Sequence, residues 1–291
     1  MNICIIDIGS NTVKASIYSV IGKTHRREIA YKGNKEKLIT YVDENKFMSE
    51  EGIRRLNSSL EGLLSFSEEH GCQKVFAFAT ASLRGVQNSE YIVESIFEKY
   101  SLHIDILSAE DEALCSLRGL LTDPEASQVK NGIMIDMGGG STEIVLFENG
   151  KMPQINSLNF GCLSLNELSV SREELSKIIK KELLKCSYVK NSSCPLFLIG
   201  GTARAVLKII NVEKNTLSNN LRTDGIDFSY IADNMHNEKF IDFVKKVVPS
   251  RANTVFSGAL AYSEIIKFIK PTAVIVSDSG VRDGYLERIL P

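Results

Sequence analysis

The chain has 291 residues, of which 43% are hydrophobic and 24% charged, a composition typical of a globular protein. This length accommodates one large domain or two domains of medium size. The formal net charge of −2 argues against a general nucleic-acid binder, which carries a basic excess, so we expect no nucleic-acid polymer as a partner. An anionic substrate must therefore be attracted by a local basic site or by a metal ion.

We expect neither an export signal nor a membrane-spanning segment. The first apolar run begins at residue 3, so no signal peptide is expected before it, and no apolar stretch is long enough to cross a bilayer. The six cysteines are scattered without a C-x-x-C pair, and the four histidines give little support to a zinc site. Buried, reduced thiols are typical of a cytosolic protein, so we expect a cytoplasmic localisation and no membrane partner.

The N-terminal part of the chain alternates predicted strands with predicted helices. Apolar runs bounded by turn residues predict the strands, and apolar residues at helical spacing predict the helices. Ser49 and Ser89 are the predicted caps of the first two helices. The predicted strands are residues 3–8, 13–20, 27–32, 74–80 and 102–107, and the predicted helices are 49–64, 89–99 and 109–121.

A polar segment at residues 122–131, which contains a proline, predicts a crossover to a second half in which the same order restarts. No element is predicted for residues 211–237. The repeated order predicts two α/β domains, residues 1–122 and 123–291, with a final helix at about 283–291 that packs back on the first domain. The strands predicted here are 132–137, 143–148, 151–158, 196–199 and 273–276, and the helices are 172–186, capped by Ser171, and 253–268.

Two glycine turns of the same design follow the first predicted strand of each half. They are Asp7-Ile-Gly-Ser-Asn-Thr12 and Asp136-Met-Gly-Gly-Gly-Ser-Thr142. Glycine lets backbone N–H groups approach an anion closely, so the pattern predicts that both turns bind phosphate. The alternative is that the glycines only close tight hairpins. The predicted phosphate-binding residues are Gly9, Ser10, Asn11, Gly138, Gly139, Gly140, Ser141 and Thr142.

Acidic residues beside these turns are candidate metal ligands. Magnesium is commonly held by one or two carboxylates together with phosphate oxygens. Asp136 and Glu143 flank the triple-glycine turn and are predicted to coordinate Mg²⁺ or Mn²⁺, and Asp7 is a comparable ligand of the metal or of its water. A turn-stabilising hydrogen bond is the alternative role for Asp136, and an exposed strand position is the alternative for Glu143.

Short motifs spread over nearly the whole chain add a specific resemblance. They are Asp7-Ile-Gly-Ser-Asn11, Ala79-Thr-Ala-Ser-Leu-Arg84, Ser108-Ala-Glu-Asp-Glu-Ala113, Asp136-Met-Gly-Gly-Gly-Ser-Thr-Glu143, Ser157-Leu-Asn-Phe-Gly161, Gly200-Gly-Thr202, Arg251-Ala252, Gly258-Ala259 and Ser279-Gly-Val-Arg-Asp-Gly284. In these motifs and in their order, the chain resembles the exopolyphosphatase/guanosine pentaphosphate phosphohydrolase (Ppx/GppA) family.

The resemblance implies a hydrolase acting on acid anhydrides, which removes terminal phosphates from polyphosphate or the 5′-phosphate from guanosine pentaphosphate. It implies that Glu112, directly before Ala113, is the catalytic base, although Ala109 and Asp111 depart from the family's Gly-x-Glu-Glu-Ala pattern. From the residues alone, a solvated acidic first turn of a helix is the alternative. Arg84 is predicted to pair with a phosphate oxygen, and a surface arginine is its alternative.

The resemblance also implies two ribonuclease-H-like domains of the actin-like ATPase superfold, with the active site in the cleft between them. Two other functions stay open at this point: an actin-like ATPase or kinase, and a weakly catalytic protein that binds polyphosphate or guanosine tetraphosphate. Long family members continue into a helical domain, which we expect to be absent here. We expect this difference to favour shorter polyphosphates or nucleotides, or binding of long chains by an oligomer such as a homodimer.

Overall fold

The computed structural model of the protein describes residues 1–22, 25–218, 220–221 and 224–290. The chain forms two compact units. Unit 1 comprises Met1–Glu112 with Tyr285–Pro291, and unit 2 comprises Ala113–Gly284. The domain limit between residues 122 and 123 stays a prediction, and Pro291, the end of the predicted final helix, lies outside the described residues.

The described part of unit 1 contains a five-stranded mixed sheet in the order β3-β2-β1-β4-β5. Strand β1 pairs antiparallel with β2 and parallel with β4, so the turn after β1 lies at the same sheet edge as the end of β4. The elements are β1 (Asn2–Ile8), β2 (Val13–Ile21), β3 (His25–Asn34), α1 (Glu50–Glu69), β4 (Cys72–Ala79), α2 (Ser89–Tyr100), β5 (Ile104–Ile106) and α3 (Ala109–Leu120), the last of which continues into unit 2.

Helices α1 and α2 show how local signals start the elements of unit 1. The Ser49 side chain accepts a hydrogen bond from the Gly52 N–H at 3.3 Å, as predicted for a cap, and the leucines of α1 face the buried core. The prediction that Ser89 caps α2 is wrong, because Ser89 is the first helical residue and Asn88 occupies the cap position before it. The Asn88 amide instead binds the N–H and C=O of Met48, both at 2.9 Å.

Unit 2 repeats the strand order of unit 1. Its described residues form a six-stranded sheet in the order β10-β11-β9-β6-β7-β8, so that β8-β7-β6-β9-β11 corresponds to β3-β2-β1-β4-β5. The elements are β6 (Asn131–Met137), β7 (Thr142–Glu148), β8 (Gln154–Leu158), α4 (Cys162–Glu167), α5 (Arg172–Leu183), β9 (Leu196–Ile199), α6 (Gly201–Lys214), β10 (Asn220–Leu221), α7 (Ile226–Asp233), α8 (Glu238–Val247), α9 (Val255–Ile269), β11 (Val274–Val276) and α10 (Val281–Ile289).

Strand β6 is covered on both faces, which explains its continuous apolar run. Ile133 and Ile135 belong to the core beneath the helices that follow β8, whereas Met134 packs on the opposite face with Leu117 and Leu120 of α3. Helix α9 is buried along nearly its whole length and contacts α4, α5, α6 and α7. A central buried helix of this kind is apolar on all sides.

The order of the elements confirms the predicted α/β class, in which strands and helices alternate in each unit. Four helices of unit 2 lack a counterpart in the prediction: α4, α6, α7 and α8. Helices α4 and α7 are short and follow a glycine, Gly161 or Gly225, instead of a serine, threonine or aspartate cap. The sequence therefore carries little local signal for where these helices begin.

Candidate active site

The N-terminal turn joins β1 to β2 and contains three consecutive backbone donors without an acceptor among the described residues. Asp7 and Lys14 face each other in the strand register, and the Gly9 N–H donates to the Thr12 carbonyl at 3.1 Å. The carbonyls of Ser10 and Asn11 accept hydrogen bonds from the segment at residues 36–39. Within the described part of the chain, the N–H groups of residues 10–12 have no acceptor. Consecutive backbone donors of this kind form an anion-binding concavity.

The turn between β6 and β7 has the same register and the same internal bond. Asp136 faces Glu143, and the Gly138 N–H donates to the Ser141 carbonyl at 2.9 Å. The carbonyls of Gly138 and Gly139 accept hydrogen bonds from residues 162–164 at the start of α4, each at 3.0 Å. No acceptor is found among the described residues for the N–H groups of residues 139–141. The two turns therefore present equivalent sets of backbone donors, each within its own unit.

Hydroxyl and amide side chains of the two turns differ in what they contact. The Thr142 hydroxyl is buried and donates to the Phe160 carbonyl at 2.7 Å, so it fixes the turn rather than projecting from it. The Asn11 Oδ1 atom is also buried and has no hydrogen-bond partner among the described residues. A buried acceptor without a donor is costly, so Asn11 is suited to contact a ligand or a water.

The residue seven positions after the turn aspartate has a different charge in each hairpin. In unit 1 this residue is Lys14, whose Nζ lies 3.0 Å from Asp7 Oδ2. In unit 2 it is Glu143, a second carboxylate directly opposite Asp136. Like charges in directly opposite strand positions destabilise a sheet. The two hairpins therefore differ in charge, because the turn aspartate faces a lysine in unit 1 and a second carboxylate in unit 2.

The donor set of unit 2 fits a magnesium ion better than a metal that needs a complete protein cage. Ser157 donates to Glu143 Oε1 at 2.9 Å and Ser116 donates to Asp136 Oδ2 at 2.8 Å, so both carboxylates are held in place. No group of three metal-binding side chains occurs in the described residues. Two carboxylates without a third ligand match Mg²⁺, which completes its shell with water and substrate oxygens.

Arg84 and Glu112 form an ion pair at the carboxyl edge of the unit 1 sheet. Arg84 Nη1 lies 2.7 Å from Glu112 Oε2 and also donates to the Leu107 carbonyl at 3.2 Å. The loop that carries Arg84 is fixed to the first turn, because the Ser82 hydroxyl donates to the Ile8 carbonyl. Strands β1, β4 and β5 all end at this edge, where ligands of α/β sheets usually bind.

Ser108 caps helix α3, and the three acidic residues in the first turn of this helix have different surroundings. The Ser108 hydroxyl accepts from the Asp111 N–H at 3.0 Å and donates to the Asp111 carboxylate, which also pairs with Arg288. Glu110 is exposed, whereas Glu112 is buried. Asp111, one of the two departures from the family pattern, therefore serves a capping interaction, whereas Glu112 is the buried member of the cluster and pairs with Arg84.

The third glycine motif, Gly200-Gly-Thr202, lies beside Asp136 and packs against Arg251, a residue to which the sequence pattern assigned no role. Strand β9 ends at Ile199 opposite Asp136, and Gly200 follows with φ +92°. A Cβ on Gly201 would lie 2.4 Å from Arg251 Nη2, so the guanidinium rests on the start of α6. In the sequence, Arg251 could be identified by its place in a family motif. The spacing of residues could not show that its guanidinium packs against Gly201.

The buried Tyr262 hydroxyl near this edge is kept uncharged. Burial raises the pKa of the Tyr262 hydroxyl well above its usual value, and the nearby Asp136 carboxylate adds to the shift. The Tyr262 hydroxyl donates to the Ile199 carbonyl at 3.4 Å. Tyr262 is therefore a neutral support beneath β9 at neutral pH.

The predicted site residues fall into two groups, one in each unit. Unit 1 brings together the first turn with the Arg84–Glu112 pair, and unit 2 brings together the second turn with Asp136, Glu143 and the glycines after β9. The unit 1 residues are Asp7, Gly9, Ser10, Asn11, Arg84 and Glu112. The unit 2 residues are Asp136, Gly138, Gly139, Gly140, Ser141, Thr142 and Glu143. No helix in the described ranges is both long and apolar enough to cross a membrane.

Known proteins resemble this chain over much of its length. A Fusobacterium nucleatum protein named bifunctional 3-dehydroquinate synthase/phosphatase is 25% identical over 298 residues, which cover 94% of this chain and 44% of that protein. A guanosine-5′-triphosphate,3′-diphosphate pyrophosphatase of Pseudoalteromonas atlantica is 25% identical over 179 residues, which cover 59% of this chain and 34% of that protein. The chain therefore spans less than half the length of these two relatives.

A solved structure shows the same fold. The crystal structure of an exopolyphosphatase from Cytophaga hutchinsonii has a TM-score of 0.85 and 18% sequence identity, covering 100% of this chain and 98% of that chain. The predicted α/β fold with two units of the same strand order is thereby confirmed. The model of the Ppx/GppA phosphatase family matches residues 19–291, a range that contains the second turn, Arg84 and Glu112. With nearly the whole chain matched and the family's motifs gathered at the sheet edges, this chain belongs to the Ppx/GppA phosphatase family.

Proposed function

We propose that the protein is a phosphoanhydride hydrolase that releases terminal orthophosphate from inorganic polyphosphate or the 5′-phosphate from guanosine pentaphosphate. The observation that carries the proposal is the duplicated turn, in which each copy leaves three consecutive N–H groups without an acceptor in the described chain. Such donors suit the oxygens of a phosphate chain. Family membership and the names of the Cytophaga and Pseudoalteromonas relatives support this class of substrate.

In the proposed reaction, the turn donors bind phosphate oxygens and Glu112 acts as general base. Glu112 takes a proton from a water molecule, whose oxygen attacks the terminal phosphorus as the bond to the bridging oxygen breaks. Orthophosphate and a chain shorter by one phosphate are the products. Arg84 fixes the Glu112 carboxylate through their 2.7 Å contact and places a positive charge beside the attacked phosphate.

Asp136 and Glu143 are the residues that would hold Mg²⁺ or Mn²⁺ in this proposal, since they face each other across β6 and β7. When bound, the metal neutralises negative charge on the phosphate oxygens. Asp7 stays a second predicted ligand of the metal or its water, and Lys14 already supplies a positive charge to its carboxylate. The six cysteines are free thiols, which supports a cytoplasmic location for the enzyme.

The proposal is tested by orthophosphate release in the presence of Mg²⁺ from long polyphosphate, tripolyphosphate, guanosine pentaphosphate and ATP. We expect release from at least one of the first three, and a loss of about 10²–10⁴-fold in kcat for Glu112→Gln, because a general base contributes that much. Glu110→Gln is the matched control, since Glu110 is an exposed neighbour on the same helix turn.

The outcomes separate the proposal from its alternatives. Faster release from ATP than from the other substrates would favour an actin-like ATPase or kinase. Tight binding of polyphosphate or guanosine tetraphosphate with no release would favour a weakly catalytic binding protein. Equal activity of the Glu112→Gln and Glu110→Gln variants would show that Glu112 is not the base.

A further inference from the structure

Ser116 is a buried serine in the middle of α3 whose hydroxyl serves a neighbouring strand. Serines inside helices usually face solvent or donate to the carbonyl four residues earlier. The Ser116 side chain is 0% exposed, and its Oγ donates to Asp136 Oδ2 at 2.8 Å. This serine lies outside every motif of the family resemblance, since the acidic motif of α3 ends at Ala113. Its interaction is therefore visible only in the folded chain.

The other oxygen of the same carboxylate lies beside a glycine, whose missing Cβ leaves space next to it. A Cβ on Gly200 would lie 3.0 Å from Asp136 Oδ1 and 3.4 Å from the Met137 carbonyl oxygen. Gly200 also has φ +92°, a conformation that L-residues with side chains rarely adopt. Asp136 thus accepts the Ser116 hydroxyl on one oxygen, whereas glycine at position 200 leaves space beside the other, so the Ser116 hydrogen bond orients the carboxylate.

We propose that Ser116 is a positioning residue that orients Asp136 toward a bound divalent cation. The inference rests on the proposed function, in which Asp136 is a metal ligand. Magnesium demands nearly octahedral geometry, so the orientation of each carboxylate decides how well the ion is held. A carboxylate has about four acceptor positions, so a hydrogen bond from Ser116 to Oδ2 is compatible with cation binding by the same group.

The size of the effect follows from the behaviour of other metal sites. Hydrogen-bond partners of metal ligands typically change metal affinity or activity by about 10–100-fold when they are removed. We therefore expect Ser116→Ala to weaken cation binding by about 10–100-fold. Ser263→Ala is the matched control, because Ser263 is also 0% exposed, lies on α9 of the same unit, and hydrogen-bonds the Ser229 hydroxyl at 2.7 Å.

The experiment measures Mn²⁺ binding to the full-length protein by electron paramagnetic resonance, with imidodiphosphate present as a phosphate analogue that resists hydrolysis. The variants are Ser116→Ala, Ser116→Cys, Asp136→Asn, the double variant Ser116→Ala/Asp136→Asn, and Ser263→Ala. The cysteine variant keeps the size of the side chain with a weaker donor, and replaces Ser116→Ala if that variant does not fold. The Mg²⁺ dependence of phosphate release, separated into KM for the metal and kcat, is measured in parallel.

If the inference is right, Ser116→Ala weakens Mn²⁺ binding and Ser263→Ala does not. The alanine change then adds nothing in the Asp136→Asn background, because a positioning residue acts only through its partner. If Asp136→Asn loses Mn²⁺ while Ser116→Ala binds it like the unmodified protein, the inference is overturned and the metal role of Asp136 stands. If Asp136→Asn binds Mn²⁺ normally, the proposed metal site and the inference both fall.

Discussion

Gly161→Ala should displace the second glycine turn without straining the substituted residue itself. Gly161 has φ −140° and ψ 178°, an extended conformation that alanine adopts freely. A Cβ at this position would lie 2.5 Å from the C and O atoms of Gly139 and 2.6 Å from the Gly138 oxygen. All three neighbours are backbone atoms, so no side chain can rotate to relieve the contact. The effect of the substitution is therefore steric.

The magnitude follows from these distances. Ordinary contact begins at 3.4 Å, so the turn and the start of α4 have to separate by roughly 0.9 Å. The hydrogen bonds from residues 162–164 to the Gly138 and Gly139 carbonyls, now 3.0 Å long, would stretch beyond bonding distance. Overpacking of this kind costs about 1–3 kcal/mol. Since 1 kcal/mol corresponds to about 2–4 °C in a chain of this size, the melting temperature should fall by about 2–12 °C.

The same movement should reduce the catalytic rate, because a misplacement of about 1 Å costs on the order of 10²-fold. Calorimetry and orthophosphate release with Mg²⁺ measure the two effects on one preparation. Gly62→Ala is the control, since no atom lies within 4 Å of a Cβ added to this glycine of α1. A Gly161→Ala variant with an unchanged melting temperature and unchanged kcat/KM would refute the proposed coupling between α4 and the turn.

Three other residues lead to further expectations. Arg84→Lys should lower kcat by about a hundredfold, because the Glu112 carboxylate loses its fixed partner; steady-state kinetics with normal activity would contradict this. Burial raises the pKa of the Cys4 thiol to about 12 from 9.0, with a smaller effect of the nearby Cys72, so iodoacetamide at pH 8 should leave Cys4 unmodified in the folded protein and label it after denaturation. Because the unfolded chain loses this proton first, the free energy of unfolding should fall as the pH rises from about 9 to 12, which denaturant titrations would detect. Ser49→Ala should lower the free energy of unfolding by about 1 kcal/mol through loss of the α1 cap, and an unchanged denaturation midpoint would argue against the cap.

Elements with a strong local signal were predictable from the sequence. The apolar runs that end in Asp7 and Asp136, followed by glycine turns, indicated the first strand of each unit, and the structure has β1 and β6 there. Ser49 and Ser171 were predicted as helix caps, and each side chain accepts a hydrogen bond from an N–H of the first helical turn. Caps and strand ends depend on residues within a few positions of each other, so the sequence pattern records them directly.

Elements held by distant parts of the chain were not predictable in the same way. Helices α4 and α7 begin after glycines and are stabilised by burial against α9, about 90 and 30 residues further on. Asn88 was not identified as the residue before α2 because its side chain binds the backbone of Met48, 40 positions earlier. Tertiary contacts override local propensity in such cases.

The sequence by itself determined the duplicated order of elements, the two phosphate-type turns and the family resemblance, since these are properties of short segments. Only the tertiary structure decided which charges meet. Arg84 pairs with Glu112 across 28 positions and Ser116 with Asp136 across 20, and the register of two hairpins places a lysine opposite Asp7 but a glutamate opposite Asp136. Such pairs depend on strand order and helix packing, so they arise only when the sheets assemble.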